Sequence, residues 1–91
     1  MSVKGQVFRS QAGRDKGRLL AALSSDSSYV YVCDGRERKL RNPKRKNPRH
    51  LQPCGRSVTD SQMRSDRALR KALAVMEADM SKGGKRYVKI G

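Results

Sequence analysis

Two glycines four positions apart, Gly13 and Gly17, bracket Arg14, Asp15 and Lys16 in the stretch AGRDKGRLL. A charged loop of this kind could cradle a nucleotide phosphate, turn one strand into the next, or touch a polyanion. A nucleotide phosphate loop needs G-x-x-x-x-G-K-[ST] opening a helix. Here the spacing is G-x-x-x-G, Arg18 follows the second glycine, and the run after it reads as a strand. Gly13 and Gly17 are therefore expected to turn the chain between two strands. Arg14, Lys16 and Arg18 are then cations presented by that loop.

A second set of cations lies in RKLRNPKRKNPRH, which places Arg38, Lys39, Arg41, Lys44, Arg45, Lys46, Arg49 and His50 in one stretch, with Arg36 just before it. No Asp or Glu occurs between Arg38 and Thr59. Pro43 and Pro48 hold the stretch extended, and a stiff segment loses less entropy on binding. It is expected to contact phosphates; the bland alternative is a solvated basic loop. A third set, Arg64, Arg67 and Lys71 with Arg70 adjacent, recurs at helical spacing. These bases precede Glu77 and Asp79, against the preference of the helix macrodipole. That order hints at selection for something outside the helix, unless the charges lie too far from its ends to feel the dipole.

Residues for catalysis are sparse. There is one His, and the thiols are Cys33 and Cys54. No nucleophile–base–orienter pattern stands out, and Asp26 and Asp34 lie where carboxylates serve turns. Cys33, Cys54 and His50 fit no standard zinc spacing and lack a fourth ligand. No enzyme activity, cofactor or metal is expected. Cys33 should pack in the core and Cys54 lie in a loop, both as reduced thiols, because the N-terminus reads as no export signal.

The elements that must position these cations are short. Residues 5–10, 18–23, 29–33, 37–41 and 50–52 read as five strands separated by turns. In YVYVC, Val30 and Val32 point one way and Tyr29, Tyr31 and Cys33 the other. Asp34-Gly35 signals a hairpin directly after it. Several short strands with turns between them imply a small barrel or sandwich. Thr59 and Gln62 are spaced as a capping box, and Leu69, Ala72, Leu73, Met76 and Met80 form one helical stripe. A single helix over 60–81 is expected, with the stripe on the barrel, the cations on the other face, and Gly83-Gly84 as its stop. The tail KRYVKIG reads either as an added strand or as disordered chain.

Charge sets the partner class. Twenty-two Lys and Arg against eight Asp and Glu give a net charge of +14 on 91 residues, and solubility alone asks for only about 2–8 on a small domain. Such self-repulsion works against compactness, so the charge is expected to serve a polyanion, most often nucleic acid. No apolar run approaches the ~18 residues of a membrane span.

The ordered set VFRSQAGRDKGRLLAAL, VYVCDGRERKL and NPKRKNPRHLQP resembles the KOW motif of ribosomal proteins and transcription elongation factors. Over residues 5–53 it resembles the small bacterial KOW proteins related to the large-subunit protein of the fourteen-e type. The resemblance implies an SH3-like barrel of about five strands and binding to structured, often ribosomal, RNA. Gly13 and Gly17 match the family's loop glycines, Arg14, Lys16 and Arg18 its basic loop residues, and Lys44–Lys46 its basic segment. LLAAL departs from it, with alanines where the family has bulkier residues, and the chain beyond Val58 matches less well.

The reading is a mainly β protein: a barrel over 3–58, an amphipathic helix over 59–82 and a tail over 83–91. Its expected role is non-enzymatic RNA binding, with ribosomal RNA and neighbouring ribosomal proteins as partners. It is expected in the cytoplasm, off the membrane and monomeric when free. A DNA-binding or transcription-associated module is the alternative. A peptide-binding adaptor or a single-strand stacking platform would need more aromatics than three Tyr and one Phe. Tyr29 and Tyr31 could stack on bases, but are expected to pack beneath the helix.

Overall fold

The computed structural model describes residues 3–90, with side chains described over 3–81. Strands β1 (Gln6–Ser10), β2 (Leu19–Ser25), β3 (Val30–Cys33), β4 (Lys44–Lys46) and β5 (Leu51–Ser57) precede one helix, α1 (Asp66–Ile90). A 3-10 turn over Pro48–His50 joins β4 to β5. The strands form one antiparallel sheet in the order β4-β3-β2-β1-β5. β1 to β4 are a meander, and β5 returns to the far side of β1. The result is a small, mainly β, barrel-like fold of five antiparallel strands followed by an amphipathic helix.

The apolar run of β2 explains how the sheet is covered. Side chains alternate between faces along a strand, so Leu20 and Ala22 point one way and Leu19 and Ala21 the other. Phe8, Leu20, Ala22, Val30, Val32 and Leu51 close into one buried cluster inside the curl of the sheet. Val7, Leu19, Ala21 and Cys33 form the outer face, covered by Val58, Met63 and the α1 residues Leu69, Ala72 and Leu73. Both faces of β2 are buried, as its unbroken apolar sequence requires. Met76 and Met80 continue the stripe and pack against the same cluster.

Four expectations change. The strand expected over 37–41 is instead β4, several residues later and inside the basic segment, with Val30 opposite Lys46 and Val32 opposite Lys44. The strand expected over 50–52 is longer, and it carries Pro53 and Cys54. Proline is tolerated there because β5 is an edge strand with an irregular register against β1. The Thr59–Gln62 capping box forms in both directions, at 2.9 and 3.1 Å, but it closes only a turn ahead of α1. Ser65 caps the helix: its Oγ accepts from the Ala68 N–H at 3.1 Å. At the other end the helix continues through Gly83-Gly84 to Ile90, where a stop and a separate tail were expected. Glycine lowers helix propensity by about 1 kcal/mol without forbidding a helix.

Candidate nucleic-acid interface

The loop between β1 and β2 is held by its carboxylate. Gly17 has φ +89°, and its N–H donates to the Ser10 carbonyl at 2.8 Å. This brings Asp15 inward. Its Oδ1 accepts from Lys46 Nζ at 2.7 Å and from Ser10 Oγ at 2.7 Å, and its Oδ2 faces Lys44 Nζ at 3.3 Å. Lys46 also donates to the Ala12 carbonyl at 2.8 Å. Desolvation pushes the Asp15 carboxyl up. The hydrogen bonds from Lys46 and Ser10 and the charges of Lys46 and Lys44 outweigh it and hold the group at about 2. Lys46 is 5% exposed, so it is a structural cation and not a surface contact.

This network has a defined acid signature. A carboxyl whose pKa is lower in the folded than in the unfolded protein stabilises the fold fully above its unfolded pKa of about 3.9. That contribution is lost as pH falls through the folded value of about 2. Asp15→Asn should therefore cost roughly 2 kcal/mol at neutral pH, and the gap to the parent should shrink between about pH 4 and pH 2. Urea denaturation at several pH values measures it. A gap that stays constant down to pH 2 would remove the network from the stability of the fold.

The turn after β3 docks the helix. Asp34 Oδ1 accepts from the Arg36 and Arg38 N–H groups at 2.9 and 3.0 Å. Gly35, with φ +77°, lies so close to the first turn of α1 that a Cβ there would collide with the Asp66 carbonyl oxygen. Asp66 Oδ1 accepts from the Leu40 N–H at 2.7 Å. Two ion pairs complete the docking: Arg9 grips both oxygens of Glu77 at 2.9 and 3.1 Å, and Arg56 meets Asp79 at 2.8 Å. Glu77 and Asp79 lie in the interior of a 25-residue helix, beyond the terminal turns where the dipole acts. Their positions follow from pairing with the barrel, so they are not evidence of selection against the dipole.

With these acids engaged, the cations separate into distinct groups. Arg36, Arg67, Arg70 and Lys71 line an open groove of about 330 Å³ with Ala74 and no acidic residue. Among the described residues, no ion pair engages these four cations. A neighbouring groove shares Arg36 and Arg70 and reaches Gly17 and Arg18, but it also carries Asp34 and Glu77, so the acid-free stretch is confined to the turn and the helix. A further cleft of about 220 Å³ holds Arg14, Arg18, Arg38 and Lys44, but also Asp15, Asp34 and Glu37. Its charges nearly cancel, and Arg18 already faces Asp34 at 3.9 Å. A polyanion is favoured by the acid-free groove.

The structure thus brings Arg18, Arg36, Arg67 and Lys71 together, with Arg14, Arg38 and Lys44 at the adjoining cleft. Lys16, Lys39, Arg41 and Arg64 are exposed on nearby segments of chain but line none of these clefts. Arg49 and His50 are exposed on the 3-10 turn. Arg45 is exposed on β4 with its guanidinium 4.6 Å from the centre of the Tyr29 ring. Tyr29 and Tyr31, expected beneath the helix, are partly exposed, and the Tyr31 hydroxyl donates to Asp26 at 2.6 Å. Arg70 belongs to the groove although helical spacing alone set it beside the cationic face; its contact with the turn at Gly35 could not be read from spacing.

Cys33 is buried against the helix, and burial pushes its thiol up to about 12, so it stays protonated. Cys54 lies on β5 and not in a loop. Among the described residues, no three His, Cys, Asp or Glu side chains gather as a metal site, and no helix is long and apolar enough to cross a membrane. No protein-family model and no curated protein matches the chain.

Proposed function

We propose that this protein is a non-enzymatic RNA-binding protein of the cytoplasm that associates with ribosomal RNA in the large subunit. The observation that carries the reading is the acid-free groove of Arg36, Arg67, Arg70 and Lys71. Cations anchored on a helix and a tight turn can hold phosphates in register without reading bases. Folded RNA offers such phosphates together with 2′-hydroxyls on a wide, shallow groove. The net charge of +14 and the resemblance of residues 5–53 to small KOW proteins favour the same partner.

The test has two parts. Affinity for a structured ribosomal RNA fragment should fall steeply with salt, because each neutralised phosphate releases counterions. In a lysate, the protein should sediment with the large subunit. Salt-independent binding would overturn the phosphate contacts. Stronger binding to duplex DNA than to duplex RNA at matched salt, with the protein left at the top of the gradient, would move the reading to a DNA-associated module.

A further inference from the structure

A second polar surface lies on different elements from the groove. β3 and β4 pair with Tyr31 opposite Arg45. Arg45 is exposed, and its guanidinium stands over the ring of Tyr29. Asp26 locks the turn before β3: its Oδ1 accepts from the Ser28 and Tyr29 N–H groups, each at 2.8 Å. Its other oxygen, Oδ2, accepts from the Tyr31 hydroxyl at 2.6 Å. Two rings, a guanidinium and a carboxylate are therefore fixed side by side at the surface before any ligand arrives.

We propose that Tyr29, Arg45, Tyr31 and Asp26 form a seat for one unpaired base of the bound RNA, guanine above the others. This rests on the RNA-binding reading above and adds to it a way of distinguishing one RNA from another. A base stacks on the outer side of the Arg45 guanidinium, which the Tyr29 ring supports from beneath; Arg and Tyr are the side chains on which unstacked bases rest. Asp26 Oδ2 has one hydrogen bond and therefore capacity for another, and an ionised carboxylate only accepts. It thus favours a base edge that donates. Guanine offers adjacent N1–H and N2–H donors, whereas uracil offers a single N–H between two carbonyls. Two tyrosines and one arginine make a seat for a single base and not a platform for a strand. The groove on α1 and the 34–38 turn has no ring among its lining residues, so the two surfaces divide phosphate holding from base selection.

The experiment measures binding of the full chain to three RNA hairpins identical except for a paired stem, a single bulged guanine, or a single bulged uracil. The expected order is guanine bulge above uracil bulge above paired stem, with the guanine bulge bound about tenfold more tightly than the stem. Tyr29→Leu should abolish the advantage of both bulges while leaving stem binding and its salt dependence unchanged. Asp26→Asn should erase the preference for guanine over uracil. Equal binding to all three hairpins by the parent protein would overturn the seat while leaving RNA binding intact. Salt-independent or absent binding to every hairpin would instead overturn the RNA reading itself. Circular dichroism of each variant separates lost discrimination from lost fold, and Arg45→Lys provides a second variant: it keeps the charge, removes the planar stack, and should lose most of the bulge advantage.

Discussion

Replacing Arg67, Arg70 and Lys71 together with Ala should lower affinity for structured RNA roughly 10- to 100-fold at low salt and reduce the slope of log affinity against log salt by about 3. The three side chains line the acid-free groove, and among the described residues none has an ion-pair partner to compensate. The fold should not suffer. All three are exposed, exposed substitutions change stability by about 0.5 kcal/mol or less, and Ala is the better helix former. Removing Arg67 from the first turn of α1 also relieves an unfavourable alignment with its dipole. Thermal denaturation should therefore give an equal or slightly higher midpoint. The same change at Lys39 and Arg41, exposed but outside the grooves, should cost less affinity. If the triple variant binds as tightly as the parent, the groove is not where RNA sits.

Gly35→Ala, in a buried turn, should be among the most damaging single substitutions in this protein, at roughly 2–4 kcal/mol. Part of the cost is conformational, since an L side chain at φ +77° loses about 1 kcal/mol. The remainder comes from contact: the new Cβ would overlap the Asp66 carbonyl oxygen and lie 3.1 Å from the Arg70 backbone nitrogen. Both are helix backbone, which yields less readily than a side chain. Gly17→Ala supplies the comparison. Its φ is +89°, but nothing lies within 4 Å of the added carbon, so only the conformational cost of about 1 kcal/mol applies. Urea denaturation of the two variants isolates the close approach. Equal losses would show that the turn does not bear on the helix. Gly35→Ala should also weaken RNA binding beyond its effect on stability, because the turn carries Arg36 and sets it beside Arg70.

These two results bear on different levels of the structure, and the sequence exposes them unequally. The cationic face of α1 is legible because helical spacing fixes which residues share a side. The stripe Leu69, Ala72, Leu73, Met76 and Met80 packs as its spacing requires, and Arg67 and Lys71 must then face away. β1, β2 and β3 are legible for a similar reason, since a buried strand needs apolar side chains on one or both faces, with turn residues between. Gly35 is recognisable as a turn residue. Its close approach to the helix is not, because Asp66 is 31 positions away and no local pattern encodes the meeting.

Lys44, Arg45 and Lys46 show where local reading ends. Their sequence is that of a solvated basic segment, and three consecutive cations have little β propensity. Pairing with β3 makes them a strand, and the alternation of a strand then divides their fates. Lys46 turns inward to Asp15, Lys44 meets the same carboxylate, and Arg45 points to Tyr29. β5 is set by similar long-range pairing, in which β1 recruits a proline-bearing segment more than forty residues away.

By itself, the sequence determined the class of protein: a strongly basic chain with a thin core of short strands, one amphipathic helix, and cations grouped in a loop, a basic segment and one helix face. Periodicity and charge are properties of residue types and spacing, so they survive without coordinates. The tertiary structure alone decided which cations remain available. Ion pairing depends on distance in space, and packing brought Asp15 to Lys46, Glu77 to Arg9 and Asp79 to Arg56. What those pairs leave open is the groove of Arg36, Arg67, Arg70 and Lys71, assembled from a turn and a helix that only the fold places side by side.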